Sequence, residues 1–192
     1  MSQARAAADA SLDFFQIREP DLPDGALLDL ATRVRDATAG STLRILINDR
    51  LDIALAAGLD GVHLRGTSYP ASRAREIATS GLLIGRSVHG VDEAKAVEAG
   101  GGLDYLVFGT IFATASKPAD RVLAGVQTLD AAVRACRLPI LAIGGITLDN
   151  AALVAQAGAA GLAAIGLFQD LGRMAATAAQ LRRIFAATRP PA

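Results

Sequence analysis

A short pattern of apolar and polar residues recurs along this chain of 192 residues. In each copy, alanine and leucine at helical spacing lead to a glycine, and a short apolar run follows that ends in a polar residue or a glycine. Clear copies cover residues 56–63, 99–109 and 157–166, and a fainter copy covers residues 8–18. Unbroken apolar runs are typical of strands buried on both faces, and parallel strands need a crossover that is usually a helix. The repeat therefore predicts an α/β fold with a parallel sheet.

The pattern predicts seven strands with helices between them. We expect the strands at residues 14–18, 43–48, 61–64, 82–87, 105–109, 139–144 and 162–166. We expect helices at residues 3–10, 24–38, 50–57, 92–99, 129–136, 149–157 and 171–188.

The number of strands favours an incomplete barrel. A TIM-type (βα) barrel has eight strands and usually about 250 residues, with roughly 200 as the lower end. Here a helix at residues 3–10 precedes the first predicted strand, so either the first barrel strand is missing or the native start lies upstream. We predict one TIM-type barrel domain over residues 1–192. A doubly wound open sheet is less favoured, because no Gly-x-Gly-x-x-Gly follows the first strand.

Composition narrows the classes of partner. The formal net charge is zero, which gives no support for a nucleic-acid or anionic-membrane partner. Cys136 is the single cysteine, as expected of a protein in the reducing cytoplasm. Residues 151–168 lack charge, but Gln156 and two glycines interrupt them where the repeat predicts a helix followed by a strand. We expect small-molecule ligands, and the open edge of an incomplete barrel would be a place for a second copy of the chain.

Polar side chains follow the first two predicted strands. Gln16 and Arg18 lie two residues apart and so share one face of a strand. Arg18 suits a phosphate or carboxylate ligand, with a surface ion pair to Glu19 as the equal alternative. Asn48 and Asp49 end the second strand. Asp49 is either a Mg²⁺ ligand or the cap of the next helix, and the local sequence favours the cap.

The two histidines of the chain both follow predicted strands. His63 ends the third strand, and His89 lies just after the fourth. A lone histidine is more often a hydrogen-bonded core or loop residue than an acid or base. Two histidines are also a poor ligand set for zinc, so we do not expect a zinc site.

A lysine and several glycines follow the later strands. Lys117 and Lys95 are the only lysines among nineteen basic residues, and Lys117 lies in a hydroxyl-rich loop after the fifth strand. A lysine there suits an anionic ligand, although a solvated loop residue is the alternative. Gly144 and Gly145 follow the sixth strand, and Gly166 follows the seventh. Glycines at the last two strands of a barrel are typical of a backbone phosphate site.

Together these motifs resemble the thiamine phosphate synthase and thiazole tautomerase family, from about residue 8 onward. The matching stretches are Gln16-Ile17-Arg18-Glu19, Ile47-Asn48-Asp49-Arg50-Leu51-Asp52-Ile53-Ala54, Gly61-Val62-His63-Leu64, Gly85-Arg86-Ser87-Val88-His89, Phe108-Gly109-Thr110-Ile111-Phe112 with Lys117-Pro118, and Ala142-Ile143-Gly144-Gly145-Ile146. The family fold is a βα barrel, and its synthases join hydroxymethylpyrimidine diphosphate to a thiazole phosphate, releasing pyrophosphate with the help of Mg²⁺.

The resemblance implies roles for individual residues. Arg18, Asn48 and Lys117 would contact the diphosphate, Asp49 would ligate Mg²⁺, and Ser87 would lie at the reacting pyrimidine. Gly145 and the backbone around Ile165 and Gly166 would hold the thiazole phosphate. The full expected set is Ser87, Lys117 and His89 as catalytic residues, Gln16, Arg18, Asn48, His63, Thr114, Gly144, Gly145, Ile165 and Gly166 as substrate-binding residues, and Asp49 as the metal ligand.

The chain also departs from the family pattern. Pro20 stands where the family usually has a second lysine, and Ser68 stands where it usually has a second Mg²⁺-binding aspartate. The sequence of residues 85–89 resembles that of the tautomerase branch, but Thr110 aligns with the histidine thought to act there as acid and base. We therefore predict a synthase-like enzyme with a partly altered diphosphate site. The alternatives are a tautomerase and a non-catalytic protein that binds thiazole phosphate or thiamine phosphate.

Overall fold

Seven parallel strands form one sheet in the order of the sequence. The computed structural model describes residues 1–78, 80–114 and 122–188. The strands are β1 Phe14–Ile17, β2 Arg44–Asn48, β3 Gly61–Leu64, β4 Leu83–Val88, β5 Tyr105–Gly109, β6 Ile140–Ile143 and β7 Gly161–Ala163. Each pairs in parallel with the next along the chain. Every predicted strand is confirmed, and each begins within one residue of the position expected from the sequence.

Helices cover the outer face of the sheet. They are α1 Ser2–Asp9, α2 Asp24–Ala37, α3 Leu51–Ala57, α4 Ala71–Ile77, α5 Val91–Ala99, α6 Gly125–Ala135, α7 Ala151–Gln156 and α8 Met174–Thr188. Short 3₁₀ turns at Gly166–Phe168 and Leu171–Arg173 precede α8. The sequence had not placed α4, and it began α6 four residues late, at residue 129. Among the described residues, no helix has the length and hydropathy that crossing a membrane requires.

Both faces of the central strands β3 and β5 are buried, which explains their unbroken apolar runs. Side chains alternate across each strand. On the outer face Ile47, Leu64 and Phe108 belong to three separate buried clusters between strands and helices. On the inner face Leu46 and Tyr105 belong to a fourth cluster inside the curled sheet.

The barrel is incomplete, as the sequence predicted. Among the described residues, no strand joins β7 to β1, so these two strands are the edges of the sheet. The helical layer covers the gap, because α8 contacts both α7 and α1. Arg182 of α8 donates hydrogen bonds to the carbonyls of Ala10 and Ser11, just after α1. Phe168, in the first 3₁₀ turn, packs against the two largest outer clusters.

Tyr105 fills the centre of the curled sheet, and Gly85 provides the space for its ring. The ring of Tyr105 on β5 stacks with Phe14 on β1, with centroids 6.0 Å apart and planes 9° from parallel. Gly85 on β4 is the register partner of Tyr105. A Cβ atom on Gly85 would lie 2.0 Å from Tyr105 Cζ, far inside van der Waals contact.

We expect Gly85→Ala to destabilise the protein by about 1–3 kcal/mol, because the added methyl group displaces the ring of Tyr105. Gly25→Ala is the matched control. Gly25 lies in α2 with no atom within 4 Å of the position of an added Cβ, so the alanine should be neutral or stabilise by up to about 1 kcal/mol. Urea unfolding followed by circular dichroism measures both. Equal free energies of unfolding for the two variants would show that Tyr105 does not fill this space.

Candidate functional site

The predicted site residues that the structure describes gather at one edge of the sheet. In a parallel sheet the carboxyl ends of all strands share an edge. Arg18 follows β1, Asn48 ends β2 and His89 follows β4. Gly144 and Gly145 follow β6. Lys117 and its neighbours at positions 115–121 lie outside the described residues.

A hydrogen-bonded chain links the ends of β1, β2 and β3. Gln16 Nε2 donates to Asn48 Oδ1 over 3.2 Å, and Asn48 Nδ2 donates to Asp49 Oδ2 over 3.2 Å. The backbone N–H of Asp49 donates to the carbonyl of His63 over 2.9 Å. Asp49 adopts a positive φ of 60°, a conformation that aspartate tolerates better than most residues. Three of the predicted site residues, Gln16, Asn48 and Asp49, are therefore in one network.

Asp49 does not cap α3. The residue at the N-cap position is Arg50, and no side chain caps this helix. Asp49 Oδ1 instead accepts hydrogen bonds from the backbone N–H of Arg65, over 3.1 Å, and from the hydroxyl of Ser68. Of the two readings of Asp49 considered from the sequence, the helix cap is wrong. The carboxylate belongs to the site edge.

Arg18 is exposed beyond the end of β1. Both Arg18 and Glu19 are described, and no ion pair between them is present in the described part of the chain. The alternative reading of Arg18, as half of a surface pair with Glu19, is therefore not supported. Its guanidinium is available to a ligand at the rim.

His63, Ser87 and Tyr105 form a connected group inside the curled sheet. His63 Nε2 lies 2.8 Å from Ser87 Oγ, and His63 Nδ1 lies 3.1 Å from the hydroxyl oxygen of Tyr105. Either neutral tautomer of the imidazole satisfies both contacts, because each hydroxyl can donate or accept. The three residues come from β3, β4 and β5, where their strands lie side by side. Ser87 is half-buried, so it is the member of the group that a ligand can reach.

Burial keeps this group uncharged. His63 is 3% exposed, and loss of solvation lowers its pKa from the ordinary 6.5 to about 4, although the carboxylate of Asp49 acts in the opposite direction. Burial also raises the pKa of Tyr105 well above its ordinary value, with the charge of Asp104 adding to the effect. At neutral pH the group is therefore a neutral imidazole between two hydroxyls. It can orient the hydroxyl of Ser87, but it does not supply a charge.

His89 lies at the mouth of the sheet, between β4 and β5. Its Nδ1 contacts the carbonyl oxygen of Gly109, and its backbone N–H donates to Glu93 Oε2 over 2.7 Å. The imidazole is held by the last residue of β5, and Glu93 fixes the start of α5. His89 is exposed and at the predicted edge.

The glycine turn after β6 packs directly on the segment after β5. Gly144 and Gly145 have φ values of 103° and 63°. A Cβ on Gly145 would lie 2.3 Å from the carbonyl oxygen of Ala113, and one on Gly144 would lie 2.4 Å from a side-chain carbon of Thr110. Phe112 donates its backbone N–H to the carbonyl of Gly144 over 3.0 Å. The turn is therefore built from glycine because another backbone segment lies against it.

Gly166, the predicted glycine after the seventh strand, is the first residue of a 3₁₀ turn. Ile165 is the N-cap residue of this turn and is 64% exposed. The first N–H groups of such a turn have no acceptor within it and point outward. Thr114, the last described residue before position 115, is half-buried.

Sequence reasoning missed Tyr105, Arg65 and Arg86 as residues of the site. Alternation from the end of β5 would have placed Tyr105 on the inner face, as the register partner of Gly85. Arg65 follows β3 directly, where its side chain contacts Asp49, and Arg86 lies on the outer face of β4. The position of Arg65 after a strand was a usable signal, whereas nothing local indicated the contacts of Arg86.

His63 should make stability depend on pH. Its pKa is lower in the folded state, so its contribution is complete above pH 6.5 and is lost as the pH falls towards 4. The loss amounts to about 3 kcal/mol at pH 4. In urea unfolding from pH 7 to pH 4, we expect His63→Gln to lose less stability than wild type, and His89→Gln to follow wild type. Parallel curves for wild type and His63→Gln would contradict the buried neutral imidazole.

Known proteins resemble this chain along most of its length. The family described as thiamine monophosphate synthase matches residues 1–168. A thiamine-phosphate synthase of Anaeromyxobacter dehalogenans is 40% identical over 189 residues, covering 98% of this chain and 84% of the relative. A thiamine-phosphate synthase of Methanoculleus marisnigri is 42% identical over 187 residues, covering 97% and 88%.

A solved structure agrees with these relatives. Thiamine phosphate pyrophosphorylase from Pyrococcus furiosus superposes with a TM-score of 0.83 at 30% identity, covering 98% of this chain and 90% of that structure. Sequence and fold thus point the same way, and the chain belongs to the thiamine monophosphate synthase family.

Proposed function

We propose that this chain is a thiamine-phosphate synthase, a transferase that joins hydroxymethylpyrimidine diphosphate to thiazole phosphate and releases pyrophosphate. One observation carries the proposal beyond family membership. The polar network of Gln16, Asn48 and Asp49 and the glycine turn at Gly144–Gly145 lie at the same edge of one sheet, on opposite sides of the His63–Ser87 pair in strand order. Two anion-binding regions with a polar centre between them suit two phosphorylated substrates.

The reaction makes one bond and breaks one bond. The ring nitrogen of the thiazole bonds to the methylene carbon of the pyrimidine, and the bond from that carbon to the diphosphate oxygen breaks. The electron pair of the broken bond leaves with pyrophosphate, which gains negative charge in the transition state. Fixed positive groups around the diphosphate stabilise that charge. In this proposal Arg18 and Lys117 are those positive groups, and the side-chain amide of Asn48 donates a hydrogen bond to the diphosphate.

Ser87 orients the pyrimidine. Its hydroxyl lies 2.8 Å from a buried, neutral imidazole, which limits the directions in which the hydroxyl donates or accepts. A polar atom of the pyrimidine at Ser87 would therefore meet a preorganised partner. His89 lies two residues after Ser87, at the mouth of the sheet, where its imidazole contacts the carbonyl oxygen of Gly109. We propose that His89 faces the same substrate.

The glycine turns bind the thiazole phosphate. Backbone N–H groups around Gly144, Gly145, Ile165 and Gly166 suit an anion without any cationic side chain. Thr114 would add a hydroxyl on the neighbouring segment. This half of the site depends on backbone geometry, and the diphosphate half depends on side chains.

The family resemblance implies Mg²⁺, but the residues around Asp49 do not fit it. Mg²⁺ favours near-octahedral oxygen coordination and is usually bound by one or two carboxylates together with substrate phosphates. Both oxygens of Asp49 already face donors. We therefore derive no step through a metal ion.

The other functions considered from the sequence have less support. A tautomerase would need an acid and base where Thr110 is buried at 7% exposure. The two relatives compared above are named thiamine-phosphate synthases, the solved structure is named a thiamine phosphate pyrophosphorylase, and none of the three is named a tautomerase or a carrier. We propose that the synthase acts in the cytoplasm as a single barrel domain on small phosphorylated substrates.

The test is to incubate the protein with both substrates and measure thiamine phosphate and pyrophosphate. We expect Lys117→Ala to lower kcat/KM for the pyrimidine diphosphate by about 100-fold, because a cation at the leaving group is lost. Lys95→Ala is the matched control, since Lys95 is exposed on α5 and its removal should leave both constants unchanged.

Three other results would contradict the proposal. If Lys117→Ala reacts at the wild-type rate, Lys117 does not bind the diphosphate. Turnover of the thiazole tautomer alone would identify a tautomerase. Saturable binding of both substrates without product would identify a non-catalytic binding protein.

A further inference from the structure

An arginine occupies the side of Asp49 where the family pattern implies a metal ion. The guanidinium Nε of Arg65 forms an ion pair with Asp49 Oδ2. Asp49 Oδ1 accepts from the backbone N–H of Arg65 and from the hydroxyl of Ser68. Asn48 Nδ2 donates to Oδ2 as well. The carboxylate is therefore already neutralised by a side chain of the protein.

The contacts of Ser68 support an arginine, rather than a metal ion, beside Asp49. The backbone N–H of Ser68 donates to the carbonyl of Arg65 over 3.1 Å, and its hydroxyl accepts from the backbone N–H of Arg65 over 3.0 Å. These bonds close a tight turn that brings both side chains onto Asp49. An aspartate at position 68 would place a second negative charge there, which suits a divalent cation. A serine at position 68 suits the guanidinium.

Arg65 keeps donors for a further ligand. Its side chain is 64% exposed, whereas that of Asp49 is 14% exposed. Nε makes the ion-pair contact with Asp49, and in the described part of the chain the two terminal nitrogens, Nη1 and Nη2, donate no hydrogen bond. These nitrogens form the planar fork that matches phosphate oxygens. A guanidinium fixed at one end by Asp49 and open at the other is arranged to bind an anion.

A second arginine holds the turn in place from behind. Arg86 is 7% exposed, and its Nη2 donates to the carbonyls of Gly66 and Ser68 over 2.8 and 2.7 Å. Its Nη1 donates to the carbonyl of Tyr69 over 2.9 Å. Three carbonyls of one short loop are thus bound by one buried cation. The loop that carries Arg65 and Ser68 is thereby rigidly positioned, and the charge of Arg86 adds to the positive potential there.

We propose that Arg65 binds the diphosphate of the pyrimidine substrate as a built-in cation, so that this chain holds pyrophosphate without a divalent metal ion, with Arg86 as a positioning residue. The inference rests on the proposed function for the identity of the substrate. The Arg65 side chain is 64% exposed, and without it Asp49 still accepts hydrogen bonds from the amide of Asn48, the hydroxyl of Ser68 and the backbone N–H of residue 65. Replacing Arg65 should therefore affect anion binding and leave the fold intact.

The direct test is calorimetric titration with inorganic pyrophosphate in excess EDTA. We expect wild type to bind in EDTA, and Arg65→Gln to bind about 10- to 100-fold more weakly, as the loss of a charge-assisted hydrogen bond implies. Arg73→Gln is the control with the same charge change, because Arg73 is 71% exposed on α4 and, among the described residues, forms an ion pair with Glu76 alone. It should bind like wild type. Equal binding by wild type and Arg65→Gln, or wild-type binding that requires Mg²⁺, would overturn the inference.

The reverse substitution gives a second readout. The double variant Arg65→Gly with Ser68→Asp removes the cation and adds a second carboxylate beside Asp49. We expect it to bind Mn²⁺, a spectroscopic substitute for Mg²⁺, as measured by electron paramagnetic resonance without pyrophosphate, and we expect wild type not to do so. Saturable Mn²⁺ binding by wild type at this site would show that Arg65 does not replace the metal.

The two proposals fail separately. If wild type forms thiamine phosphate and Arg65→Gln binds pyrophosphate normally, only the role of Arg65 is wrong. If pyrophosphate binding depends on Arg65 but no thiamine phosphate forms from the two substrates, the anion site stands and the synthase assignment is wrong.

Discussion

The ring of Tyr105 is the contact on which both the fold and the site depend. It lies in the interior of the curled sheet, stacks on Phe14 of the first strand and takes the space that Gly85 leaves free. Its hydroxyl contacts His63. Because the sheet has only seven strands and no hydrogen-bonded closure among the described residues, this side chain joins strands that do not pair. The packing that fills the barrel is thus the packing that orients His63, and through it Ser87.

Electrostatics divides the site into a neutral centre and charged surroundings. Burial keeps His63 and Tyr105 uncharged at neutral pH, so the centre can orient a heterocycle without attracting ions. Asp49 would make the edge negative, but Arg65 and Ser68 surround its carboxylate. In the proposed function, this edge would receive the diphosphate and the neutral centre would receive the pyrimidine ring. The charge of the leaving group would then be stabilised away from the groups that hold the pyrimidine.

The sequence was sufficient for the strands and for the edge at which the candidate site residues lie, because both follow from local patterns, although it did not place α4. Every strand began within one residue of its predicted position, and strand ends in a parallel sheet share an edge by topology. The contacts of Asp49 were not predictable in this way. The interpretation of Asp49 as a helix cap depended on the neighbouring residues alone. Its partners in the structure, Arg65 and Ser68, lie in the turn after β3. Arg86 was missed for the same reason, since its acceptors are carbonyls 17 to 20 residues away in sequence.

The two halves of the site differ in what a substitution can change. Gly144 and Gly145 are fixed by backbone contact, because a Cβ on either would collide with the segment after β5. That half therefore tolerates little change in sequence while the fold is kept. The proposed diphosphate half consists of side chains on short turns. In such a turn, a serine in place of an aspartate at position 68 and an arginine at position 65 require no movement of the sheet. Departures from the family pattern are expected to collect in this half, and that is where Pro20 and Ser68 lie.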